Sequence, residues 1–135
     1  AYVTSAYVGV QSTQWKWLYP DLLQAIIVNQ GSDNIKNAVV AFAAWDSNYM
    51  PVIIEPMYNY FGNNAYIAQV NYDTINLPPG QSFGSEGGFQ LHPDDQRPIA
   101  QCKACVVQYT TYDGKTWMNP YYKAFLDLYE GKPLL

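Results

Sequence analysis

Cys102 and Cys105, separated by two residues, come nearest in this chain to a spacing with known chemistry. A Cys-x-x-Cys pair can be half of a zinc site, a redox dithiol or a disulfide. Tetrahedral zinc needs two further ligands, and the sequence offers one histidine, His92, and no second cysteine pair. A redox dithiol sits at a helix N-terminus, whereas the run from Cys102 to Tyr112 reads as a strand. Residues three apart in a strand face opposite ways, so both thiols are expected as small apolar fillers of a central strand. No metal and no cofactor is expected.

His92-Pro93-Asp94-Asp95, with Glu86 upstream, gathers an imidazole and carboxylates that could in principle do acid/base work or hold calcium. The flanking glycines and prolines promise no rigid cleft, and calcium loops alternate oxygen ligands over a longer motif, so a solvated loop is expected. The chain contains no phosphate loop or dinucleotide fingerprint. No catalytic residue is assigned, and the chain is read as a non-enzyme.

Trp15, Trp17 and Tyr19 recur at a spacing of two, which in an extended chain sets three rings on one face. Tyr58, Tyr60 and Phe61 follow in a later loop. A ring stripe of this period covers a core when it lies on an edge strand, and that is its expected role. If exposed, the six residues would instead form a ligand surface on which sugars or proline-rich peptides stack.

Positioning any of these residues falls to a β framework. The chain has 135 residues, suited to a single domain spanning 1–135, and 49% of them are hydrophobic against 13% charged. Thirteen tyrosines favour strands over a helical bundle. A net charge of -4 with scattered cations gives no field for phosphates, which argues against nucleic acid. No apolar run reaches the roughly 20 residues of a membrane-spanning helix. The chain starts at Ala1 without methionine, which suggests a processed or excised piece whose signal or anchor lies outside it.

Strands are expected at Tyr2 to Val10, Leu22 to Asn29, Ile35 or Ala38 to Trp45, Val52 to Glu55, Ala65 to Tyr72, Gly88 to Leu91 and Cys102 to Tyr112. Those starting at Leu22 and Ile35 carry apolar residues on both faces, the pattern of covered central strands. Asp113-Gly114 predicts a primed hairpin turn, and Asn119-Pro120 with Gly131 brackets a short helix at about 120–130. Phe125, Leu128 and Tyr129 are expected to lie over an open end or edge. Turns every eight to twelve residues or so predict a mainly β, two-sheet antiparallel sandwich with one C-terminal helix.

Particular segments strengthen that reading: Ala25-Ile26-Ile27-Val28-Asn29, Ile35-Lys36-Asn37, Ala41-Phe42-Ala43-Ala44-Trp45-Asp46, Pro78-Pro79-Gly80, Lys103-Ala104-Cys105-Val106 and, most specifically, Tyr112-Asp113-Gly114-Lys115-Thr116-Trp117-Met118-Asn119-Pro120-Tyr121-Tyr122. Together they resemble a family of uncharacterised bacterial immunoglobulin-like sandwich domains found in envelope proteins and lipoproteins of Gram-positive bacteria, over about Asp21 to Leu135. The resemblance implies an immunoglobulin-like fold, an extracellular or cell-envelope setting and no assigned activity or active-site residue. The function expected is that of an accessory or interaction module of a cell-surface or secreted protein, meeting a protein or, alternatively, a surface glycan. The sequence does not specify the oligomeric state.

Overall fold

A computed structural model describes residues 1–56, 65–84, 87–92 and 99–134. The strands are β1 Tyr2–Gly9, β2 Leu22–Val28, β3 Ile35–Trp45, β4 Ile67–Tyr72, β5 Ser82–Phe83, β6 Phe89–Gln90, β7 Gln101–Thr111 and β8 Thr116–Met118, followed by the helix α1 Tyr122–Tyr129. They form two antiparallel sheets. In one, β1 pairs with β2, whose other edge takes β5 at one end and β6 at the other; the second runs β4-β3-β7-β8. No helix is long and apolar enough to cross a membrane among the described residues.

The sheets close over a common core. Leu23, Ala25 and Ile27 alternate inward from β2 and meet Ala38, Val40, Phe42 and Ala44 of β3 and Val106 of β7. On the opposite face of β2, Leu22, Ile26 and Val28 are only half-buried, so this strand is covered fully on one side. β3 is the strand covered on both sides. Its Ala43 and Trp45 point away from the sandwich and are roofed by α1, through Phe125, Tyr122 and Tyr129 together with Leu134. The helix therefore lies on the outer face of the second sheet, where a capped end or edge was expected, and Leu128 points to solvent. The reason is chemical: Trp45 is wholly buried, its indole Nε1 donates to the Lys132 carbonyl at 2.8 Å, and its ring meets Tyr129 edge-on.

Local differences have local causes. Thr111 N donates to the Lys115 carbonyl, giving a three-residue loop in which only Gly114 takes positive φ, +85°, in place of a primed two-residue turn. The Thr111 hydroxyl donates to the Asp113 carboxylate and holds that residue at negative φ. Asn119 caps a turn before the helix, its Oδ1 accepting from Tyr121 N, so α1 begins at Tyr122. Gly131, at φ +65°, ends it as expected. Beyond Asp46 the chain makes isolated bridges, Pro51 to Trp45 of β3, Ile54 to Ala65 and Pro56 to Leu91, and not the expected strand over Val52 to Glu55.

Candidate functional site

The loop joining β1 to β2, residues 10–21, carries the first three aromatic residues, and it is not extended. Ser12 Oγ accepts from the backbone N–H groups of Gln14 and Trp15, at 3.2 and 3.0 Å, which starts a turn. The Trp15 carbonyl then accepts from Leu18 N and Tyr19 N. The expected strand stripe is thus a single helical turn, in which Trp15, Leu18 and Tyr19 share a side and Trp17 projects elsewhere. The rings cover no core. Trp15 is 65% exposed, Trp17 54%, Tyr19 49% and Leu18 69%.

The loop is nonetheless tied down. Gln11 Nε2 donates to the Pro20 carbonyl at 2.6 Å, Lys16 pairs with Asp21, and the Asp21 carbonyl accepts from Leu91 N. Trp17 meets the edge of His92 at 5.0 Å between centroids, and His92 N is held by the Glu55 carbonyl. His92 therefore lies against an aromatic side chain. Asp94, Asp95 and Glu86 lie outside the described residues, as do Tyr58, Tyr60 and Phe61. Leu18 was not singled out from sequence; its place three residues after Trp15, behind a serine that can start a turn, was the available signal.

The two cysteines behave as strand geometry requires. Cys102 pairs across from Ala44 and faces the sandwich core, whereas Cys105 pairs across from Ala41 and packs into the outer cluster under α1. Both are free thiols. Burial pushes Cys102 up to about 11, and burial raises Cys105 as well, against the opposing hydrogen bond from Asn119 Nδ2 at 3.2 Å. Neither thiol is ionised near neutrality, so neither acts as a ready nucleophile. Among the described residues, no group of three or more His, Cys, Asp and Glu converges as a metal site.

Residues 22–132 match a protein family described as a family of unknown function, DUF5780. The chain belongs to that family. The DUF5780 match runs from β2 through α1 and leaves out β1 and the aromatic loop. No curated protein matches the chain. A hypothetical protein of Peptoclostridium difficile 630, known from a 1.85 Å X-ray structure, is similar in fold: the TM-score is 0.74 at 12% identity, over 97% of this chain and 92% of that one.

Proposed function

We propose that this domain is a non-enzymatic interaction module of a bacterial cell-surface or secreted protein, with an immunoglobulin-like fold and with recognition carried by the loop of residues 10–21. The observation behind this is the exposed set Trp15, Trp17, Leu18 and Tyr19 on a loop held by Ser12, Gln11 and the Lys16–Asp21 pair. Exposed rings on a tethered loop bind with little loss of conformational freedom, because the ordering cost is met on folding. The strand orders β1-β2-β5 and β4-β3-β7-β8 support the immunoglobulin-like assignment, since they correspond to an A-B-E sheet facing a C′-C-F-G sheet. The extracellular or envelope setting rests on the sequence resemblance.

The test is a photo-crosslinking amino acid at Leu18 of the full chain, applied to intact cells of the source bacterium. Envelope or extracellular neighbours that vanish on Trp15→Ala support the reading; a purely cytosolic set overturns it. A second reading, a carbohydrate-binding module, is favoured by the two exposed indoles, which suit stacking on sugar rings. A glycan array followed by tryptophan fluorescence separates the two, because sugar stacked on Trp15 or Trp17 must shift indole emission.

A further inference from the structure

The core is not equally closed all round. Among the described residues, β8 pairs only with Gln108, Tyr109 and Thr110 of β7 and Asn119 Nδ2 donates to the Val106 carbonyl, which leaves the edge of β7 from Gln101 to Cys105 without a strand. β1 runs beside that edge, yet the two belong to different sheets and no ladder joins them. Three adjoining pockets trace the seam. One of about 300 Å³ lies between Ala1–Val3 and Ala104–Val106, one of about 370 Å³ between Val3–Ala6 and Cys102–Ala104, and one of about 490 Å³ between Ala6–Val8 and Ile99–Cys102. As β1 advances β7 recedes, so the two edges are antiparallel lips of one slot.

The floor of the slot is core. Val3, Val8, Ile99, Cys102 and Ala104 all pack against the buried cluster, but each stays only half-covered, whereas Leu23, Ala25, Val40 and Phe42 at the closed side are fully buried. Two rows of unladdered peptide groups therefore face each other above unfinished apolar surface. The chemistry that completes both at once is an extended polypeptide, which supplies backbone donors and acceptors to each lip and alternate side chains to the floor. A sugar or lipid would satisfy only one of the two.

We propose that the slot between β1 and the unpaired part of β7 binds an extended polypeptide segment as an inserted strand. β1 and β7 come within 8 Å of each other. An inserted strand needs about 9.6 Å between its neighbours, so entry requires β1 to swing outward by roughly 2 Å or more. β1 is an edge strand with an irregularity between Val3 and Ser5, which allows such a movement. This site is separate from the aromatic loop and stands or falls independently of it.

The test uses the full chain carrying Ala6→Cys, which sets a second thiol across the slot from Cys102, and a fluorescent peptide with the sequence of residues 1–10, the segment that already runs beside this edge of β7. Anisotropy should show saturable binding under reducing conditions, weakened by about tenfold or more when the disulfide closes the slot and restored by dithiothreitol. The peptide N-methylated at odd positions, and separately at even positions, should each lose about tenfold, because an inserted strand bonds on both edges. No binding up to about 1 mM, or binding indifferent to the disulfide, overturns the proposal. Sensitivity to one methylation set alone means addition to a single edge and overturns it too.

Discussion

Removing one ring from α1 tests the claim that the helix completes a second apolar layer on β3. Phe125 is 9% exposed and packs with Ala43 and Trp45. Its ring also meets Tyr129 edge-on at 5.0 Å, so truncation opens a gap between helix and sheet. A fully enclosed Phe→Ala change costs about 3–5 kcal/mol, and this site, at the rim of a one-helix roof, belongs at the lower end. Alanine returns about 0.5 kcal/mol in helix propensity, leaving about 2.5 kcal/mol. With an unfolding entropy near 2.1 cal/mol/K per residue, a chain of this length loses about 9 °C in Tm. Thermal scans by circular dichroism, paired with urea titrations, measure it. Phe125→Leu, which keeps most of the volume, should lose about a third as much. Deleting everything after Pro120 should cost more than Phe125→Ala and promote aggregation, because it bares Trp45 and leaves its indole N–H without the Lys132 carbonyl. If Phe125→Ala melts within about 3 °C of the parent, the helix is an ornament on β3 and the two-layer account is wrong.

Tyr72 is buried between the sheets, and among the described residues its hydroxyl has no partner of normal hydrogen-bond geometry, although the Ala25 backbone lies near. Tyr72→Phe should therefore be neutral or stabilising by up to about 1 kcal/mol in urea denaturation; a loss above about 1 kcal/mol would reveal a bond to that hydroxyl. Burial pushes the Cys102 thiol from 9.0 in a free chain up to about 11 when folded, so its contribution to stability is constant below pH 9 and is lost between 9 and 11 as the unfolded thiol gives up its proton first. The full shift is worth about 3 kcal/mol, reduced to about 1–2 kcal/mol for a partly wet site, and Cys102→Ala, measured with a reductant present, should remove that much of the alkaline decline. Gly84 sits at φ +142° with a hypothetical Cβ 1.9 Å from the Ala25 carbonyl oxygen, so Gly84→Ala must push β5 off β2. It should cost about 2–4 kcal/mol, against about 1 kcal/mol for Gly80→Ala, where positive φ is the whole penalty; equal losses would mean that the close approach is unimportant.

Much of the framework could be read from residue order because alternation and breakers agreed. β1, β2, β3 and β7 fall close to the expected spans, and the Asp113-Gly114 turn and the Gly131 stop lie where those residue types belong. The opposite facing of Cys102 and Cys105 also follows directly from strand geometry. What periodicity could not supply was the identity of the layer on each face. β2 and β3 look alike as apolar runs, yet only β3 receives a helix, since α1 follows β8 of the same sheet and packs on Ala43 and Trp45. β5, two residues held by β2, offered no alternation to read, although β6, equally short, falls inside the expected span Gly88 to Leu91.

The aromatic residues show how a correct period can mislead. Trp15, Trp17 and Tyr19 alternate as a strand would, but Ser12 stands three residues ahead of Trp15 and captures its N–H, which commits the segment to a turn before any ladder can form. Once the turn forms, side chains meet at spacings of three and four, and Leu18 joins Trp15 and Tyr19 while Trp17 leans on His92. Local hydrogen bonding thus overrode a weak β pattern that had no neighbouring strand to reward it. The same competition shaped the slot. Asn119 donates its side chain to the Val106 carbonyl and its backbone N–H to Val107, occupying the β7 edge just where β8 would have to continue. Pro120 follows and can donate no ladder bond, so β8 stops at three residues and the edge beyond stays open. An asparagine and a proline chosen to start the C-terminal helix therefore also decide that the sandwich is left unsealed beside β1.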